Sequence, residues 1–190
     1  MNTLFVAYAK AAGVESSPPV RSAHRSSARS TSLIMPHLEL PDDFRDLLVA
    51  LADAQADFVL IGGWAMAVHG RPRATEDMDV LVRATPANSA KVFAALAAFG
   101  APVGPHGVNA STFEAEGPAY RIGMKPLCIE VLTKISGVSF DDAASEPVHA
   151  DIDGRIVPVI GRRALLRNRQ AAGRHKDLDD AEWLELHGRA

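Results

Sequence analysis

Four consecutive apolar residues, Phe58-Val59-Leu60-Ile61, run straight into Gly62-Gly63, and after thirteen more residues Asp77-Met78-Asp79-Val80-Leu81-Val82 sets acids and apolar residues in alternation. A short, wholly apolar run belongs to a strand buried on both faces. The glycine pair lets the backbone turn sharply and approach a neighbour closely, as a strand-to-helix junction requires. In the second segment, side chains two apart leave the same face of a strand, with alpha carbons about 6.6 Å apart at a rise near 3.3 Å per residue. Asp77 and Asp79 are therefore expected on one face and Met78, Val80 and Val82 on the other, which fixes a polar and a core side for the sheet.

The remaining pattern fits around this pair. Phe44, Leu47, Leu48 and Leu51 form an i, i+3, i+4, i+7 stripe behind Asp42 or Asp43 as the expected helix cap. Trp64 to His69 reads as a short helix. Thr85-Pro86 supplies a cap and a first-turn proline for a helix that carries Val92, Phe93, Leu96 and Phe99 and closes at Gly100. Ala101 to Gly117 is rich in glycine and proline and reads as a loop. Strands are expected at Tyr120 to Met124, Leu127 to Leu132, Val148 to Ile152 and Arg155 to Ile160, the last two joined by an Asp153-Gly154 hairpin turn. Pro158 lacks an amide hydrogen, so its strand is expected at a sheet edge. Helices over Arg163 to Gln170 and Lys176 to Leu186 complete an α+β fold, an α/β sandwich with a mixed β-sheet packed against helices.

Residues 1 to 34 differ in kind. Serine, arginine and proline crowd them with little hydrophobic period, so they are expected to be a disordered extension upstream of a start at Met35, with residues 35 to 190 as one domain. No apolar run approaches the roughly 18 residues of a membrane span. A net charge of -3 excludes the global basic field of a non-specific nucleic-acid binder. Cys128 is the only cysteine, so no intramolecular disulfide and no cysteine-based zinc cluster can form, and a reducing cytoplasm is expected.

Two carboxylates on one strand face repel, by about 4 kcal/mol at 4 Å and an effective dielectric near 20, and a divalent cation reverses that cost. Oxygen-only ligands favour Mg²⁺ or Mn²⁺. Glu130 shares a strand face with Cys128 and Leu132 and stands among Leu127, Ile129, Val131 and Leu132, so it is either an edge-strand acid reaching solvent or a third carboxylate beside Asp77 and Asp79. Gly62-Gly63 alone is more simply a tight turn than a phosphate cradle. His69 is expected to pack or cap, since no second histidine or cysteine stands at ligand spacing.

The string Leu60-Ile61-Gly62-Gly63, followed by Asp77-Met78-Asp79-Val80, resembles the signature of the DNA polymerase beta-type nucleotidyltransferase superfamily. The fuller run Arg73-Ala74-Thr75-Glu76-Asp77-Met78-Asp79 is similar to that of AbiEii-like and other minimal bacterial nucleotidyltransferases. Asn168-Arg169 and then Arg174-His175-Lys176-Asp177-Leu178-Asp179-Asp180 are similar to a C-terminal segment of the same proteins. The resemblance implies transfer of a nucleoside monophosphate from a nucleoside triphosphate (NTP) such as ATP, with release of pyrophosphate. It implies Gly62 and Gly63 at the triphosphate, with Arg73, Thr75, Arg174 and Lys176 as further nucleotide-binding residues. Asp77 and Asp79 would hold both metals, and Glu130 would complete the one that activates the acceptor. Lys176 is the first choice for a catalytic cation, although Lys176, Asp177 and Asp180 could equally form surface salt links. The commonest pattern has Asp where this chain has Glu130.

Three functions follow from the resemblance. The main expectation is a nucleotidyltransferase acting on a macromolecule, tRNA or a partner protein, in a toxin-antitoxin or phage-defence system where the partner is a cognate toxin or antitoxin. The alternatives are a catalytically weak nucleotide-binding or antitoxin module, and a transferase acting on a small molecule such as an antibiotic.

Overall fold

The computed structural model describes residues 3–5 and 38–187. Apart from Thr3–Phe5, the expectations for residues 1 to 34 and for a start at Met35 lie outside the described residues. In chain order the elements are β1 (Thr3–Phe5), α1 (Asp42–Asp53), β2 (Phe58–Leu60), α2 (Gly62–Val68), β3 (Asp77–Val82), α3 (Pro86–Phe99), β4 (Ala119–Met124), β5 (Leu127–Leu132), α4 (Phe140–Ala144), β6 (Val148–Ile152), β7 (Arg155–Val159), α5 (Arg162–Ala172) and α6 (His175–Leu186). The strands form one mixed sheet in the order β1-β4-β5-β3-β2-β7-β6. This is the expected α+β sandwich, with an additional short helix, α4. Thr3–Phe5, inside the segment expected to be a disordered extension, pairs in parallel with β4.

Local chemistry sets the boundaries. Thr85 accepts a hydrogen bond from the Asn88 amide at the start of α3, and Gly100 closes that helix in the left-handed conformation. Asp153 and Gly154, both with positive φ, form the tight turn between β6 and β7. The N-cap of α1 is Pro41, which offers no side-chain hydrogen bond, so Asp42 and Asp43 lie in the first turn instead. There their charges still face the positive end of the helix dipole.

β7 corrects one expectation. It lies inside the sheet, between β2 and β6, so Pro158 is not on an edge strand. The Ile160 amide donates to the Leu60 carbonyl, and by alternation the Pro158 nitrogen faces the same way. The β2–β7 ladder is the single pair Leu60 and Val159, so no hydrogen bond is asked of the proline there.

The core lies on the sheet face opposite the acids. Met78, Val80 and Val82 of β3 are fully buried, as are Phe44, Leu47, Leu48 and Leu51 of α1 and Val92 and Leu96 of α3. Each such side chain contributes roughly 1.5–3 kcal/mol of transfer free energy. The other face carries α5 and α6, fastened by buried charge. Asp180 of α6 receives Arg71 at 2.9 Å and Arg73 at 3.1 Å from the segment before β3, and Arg169 Nε of α5 lies 3.6 Å away. Asp180 is thus the knot that ties α6 to both the β3 approach and α5.

Removing one partner of a buried ion pair strands the others. Asp180→Ala is expected to lower unfolding free energy in urea by about 3 kcal/mol, while Leu178→Ala, two residues away on the same helix and half exposed, changes it by less than about 0.5 kcal/mol. Equal effects of the two substitutions would show that the cluster does not hold α6.

Candidate active site

β3 and β5 pair in parallel, with Asp79 opposite Glu130 and Asp77 opposite Cys128. β4 and β5 pair antiparallel, with Arg121 opposite Glu130. Residues opposite one another in a sheet share a face, so Asp79, Glu130 and Arg121 form one row across three strands, with Asp77 two positions along β3 on the same face. All four line a cavity of about 390 Å³, together with Gly62, Gly63 and residues of α5 and α6.

Gly62 and Gly63 begin α2, and both are needed for close approach. A Cβ on Gly62, whose φ is +71°, would overlap the Asp79 carboxylate, and one on Gly63 would stand 2.7 Å from Thr75 Oγ1. The Ile61 amide donates to the Asp79 carbonyl at 3.0 Å, fastening the turn to β3. Thr75 Oγ1 donates to the Asp77 carbonyl at 3.1 Å. Thr75 thus braces the entry to β3 from the cavity wall.

Asp79 is the electrostatic focus. Burial pushes its carboxyl up to about 6, the neighbouring Glu130 and Asp77 carboxylates push in the same direction, and Arg169 and Lys176 pull back only partly. Among the described residues Asp79 has no ion pair within 4 Å. Asp77 and Glu130 are held instead by one guanidinium: Arg121 Nη2 donates to Asp77 Oδ1 at 3.1 Å, and Nη1 lies 3.3 Å from Glu130 Oε1.

The opposite wall is cationic. Arg169 is buried and donates through Nη1 to Asp177 Oδ1 at 2.9 Å, while its Nη2 has no hydrogen-bond partner among the described residues. Arg174 donates through Nε to Asp177 Oδ2 at 2.5 Å. Burial acts to raise the Asp177 carboxyl, but Arg174, Arg169 and Lys176 together outweigh it and leave it below the usual carboxylate range. Lys176 lines the cavity, is exposed, and has no ion pair among the described residues. Asp177 and Asp180 are therefore buried anchors rather than surface salt-link partners of Lys176. Arg73 is engaged with Asp180 and Arg174 with Asp177, whereas Lys176 has no ion pair among the described residues and Arg169 keeps an unpartnered edge, so these two are the cations least committed to the fold.

His69 caps α2, with its Nε2 2.8 Å from the Ile160 carbonyl, and burial depresses its pKa. It packs and caps, as expected. Two residues of the site were not assigned from sequence. Arg121 was detectable from the two-residue connection between β4 and β5, which fixes its register to Glu130. Arg169 lay inside the recognised Asn168-Arg169 segment, but nothing in the sequence marks it as buried.

The family model described as aminoglycoside-2''-adenylyltransferase matches residues 43–184, a span that holds every element of this cavity. The chain belongs to that family. With it comes the nucleotidyltransferase superfamily expected from the glycine turn and the paired acids; the match does not single out the AbiEii-like branch. Among solved structures the chain is similar to an antigenic nucleotidyltransferase-like protein from Paracoccidioides brasiliensis, at 20% identity over 76% of this chain and 77% of that one, with a TM-score of 0.42. No curated protein matches the chain. No helix among the described residues is long and apolar enough to cross a membrane.

The three carboxylates offer oxygen donors only, which suits a hard divalent cation, and the Asp79 carboxyl, raised first by burial and then by Glu130 and Asp77, has no ion pair among the described residues; such a cation would supply the counter-charge. Their spacing is looser than a closed cradle: among the described residues no three His, Cys, Asp or Glu side chains stand as a group that could hold a metal ion. The expected three-acid set is thus present along one wall but spread around Arg121.

A carboxyl raised in the fold favours the folded state most when protonated, below about 3.8, and this stability is lost as pH rises through about 6. In metal-free buffer at pH 7.5, Asp79→Asn is expected to raise Tm by several degrees, on the order of 1–3 kcal/mol, with most of the gain gone near pH 4. A Tm unchanged or lowered at pH 7.5 would show that the ionised Asp79 is not a burden on the fold.

Proposed function

We propose that the chain is a metal-dependent nucleotidyltransferase that moves a nucleoside monophosphate, with ATP as donor, to a hydroxyl of a small-molecule acceptor. The observation that carries this reading is the division of one cavity into an acidic sheet wall, Asp77, Asp79 and Glu130, and a cationic helix wall, Arg169 and Lys176. A polyphosphate and a divalent ion need those two walls face to face. The family's name supports the small-molecule acceptor over tRNA or a partner protein, and it supports adenylyl as the group moved.

Asp77 and Asp79, with Glu130, would hold Mg²⁺ or Mn²⁺, which when bound polarises phosphoryl oxygens and lowers the pKa of a coordinated hydroxyl. Arg169 Nη2 and Lys176 Nζ receive the non-bridging oxygens of the triphosphate and balance the charge that builds on the departing pyrophosphate. Arg73, Arg174 and Thr75 act behind them, by fixing α6 and the start of β3. The side-chain-free glycine turn lets Asp79 and Thr75 pack against the start of α2, which holds both at the cavity wall. The acceptor oxygen forms a bond to the α-phosphorus as the bond between that phosphorus and the α–β bridging oxygen breaks, and the acceptor proton leaves to the carboxylate side.

A second reading, nucleotide binding with little or no transfer, rests on Arg121. Its guanidinium engages Asp77 and Glu130, two of the three acids the chemistry needs.

Incubation with α-labelled ATP, Mg²⁺, a panel of aminoglycosides and other hydroxylated small molecules, total tRNA and cell lysate separates these readings. Label is expected on a small molecule, with the rate lowered at least about 10³-fold by Asp77→Ala with Asp79→Ala and about 10²-fold by Lys176→Ala. Label on RNA or protein alone would favour the macromolecular acceptor, ATP binding without any product would favour the second reading, and transfer that persists in the double variant would reject the site.

A further inference from the structure

Arg121 occupies the place where a cation is wanted. It projects from β4 beside Glu130, its side chain is 18% exposed, and its fork spans Asp77 at 3.1 Å and Glu130 at 3.3 Å. Arginine is not deprotonated in proteins, so this charge cannot be shed to make way for a metal. A divalent ion can take the same carboxylates only by moving the guanidinium off them. The bond it must break is a charge-assisted one, of the stronger class. Arg121 borders the cavity of about 390 Å³, so the displaced side chain has open volume beside it.

We propose that Arg121 is the resident counter-ion of the acid row, and that a divalent cation gains Asp77 and Glu130 by displacing it, so that Arg121 sets the threshold for metal uptake. The inference rests on the nucleotidyltransferase reading of the site. It explains how acids that carry a metal in one state are tolerated together on a single strand face in another. Arg121 is here a positioning residue, since it acts through the acids.

The test is Mn²⁺ affinity, read by the loss of the free-ion electron paramagnetic resonance signal, for the wild-type chain, Arg121→Gln, Arg121→Lys and Asp79→Asn. Arg121→Gln is expected to bind Mn²⁺ about tenfold more tightly than wild type, Arg121→Lys to stay within about threefold of it, and Asp79→Asn to bind at least about tenfold more weakly. A merely structural arginine would leave affinity unchanged or weaken it. Affinity in Arg121→Gln equal to or below wild type, with Asp79→Asn still weakened, overturns the counter-ion role and leaves the metal site standing. No Mn²⁺ binding by either the wild-type chain or Arg121→Gln overturns the metal reading and this inference together. If Arg121→Gln fails to fold by circular dichroism, the wild-type chain decides: the Arg121 side-chain Nε–H resonance is expected to shift on titration with Mg²⁺, and a resonance unmoved at saturating Mg²⁺ overturns the proposal.

Discussion

The parallel pairing of β3 with β5 is the constraint on which the site depends. It sets Asp79 opposite Glu130, and because side chains alternate strictly along a strand, a slip by one residue would turn Glu130 into the core and bring Ile129 to the cavity. The register is held by burial on the far side. Met78, Val80, Ile129 and Val131 are all at most 3% exposed, so any slip would expose them and bury an acid in exchange. The hydrophobic effect, acting on one face of the sheet, thereby places charges on the other.

The helix wall is organised by a different interaction. Asp177 and Asp180 are buried, and each is matched by arginines from separate parts of the chain: Arg169 and Arg174 for Asp177, and Arg71, Arg73 and Arg169 for Asp180. Burying a carboxylate costs several kcal/mol unless it is paired and hydrogen-bonded. The network meets that condition for both acids while leaving one edge of Arg169 without a partner. Stability and recognition thus draw on the same residues, and the donors that remain for a ligand are those the fold has not already used.

Much of this is legible in the amino-acid sequence itself. The stripe of Phe44 to Leu51, the apolar run into Gly62-Gly63 and the Thr85-Pro86 cap are local patterns, and each became the element its pattern implied. Asp77 and Asp79 fell on one face because period 2 leaves no other arrangement for a strand. Pro158 was misplaced because edge position is only one way to excuse a missing amide; an inner strand whose neighbour ends early is another. Asp177 and Asp180 looked like surface salt-link residues because helix spacing reports which side chains are close on one helix, not what a second helix brings down upon them. Arg121 escaped because its significance lies in a neighbour across the sheet, and the cross-strand partner follows only once the short β4–β5 connection is recognised as a hairpin turn.

The two walls of the cavity are not in the same electrostatic condition. On the helix side each carboxylate already has arginine donors within reach, so adding an anion there draws on a spare guanidinium edge and an exposed ammonium without disturbing the network. On the sheet side Arg121 pairs with two of the three carboxylates, Asp77 and Glu130, and Asp79 is left out; burial first, and then the charges of Glu130 and Asp77, raise its carboxyl to about 6. A ligand that delivered only negative charge would satisfy the helix wall and aggravate the sheet wall; a metal ion alone would do the reverse and also have to displace Arg121. A polyphosphate bound together with divalent cations meets both demands at once, so the charge pattern favours joint occupancy over either partner alone.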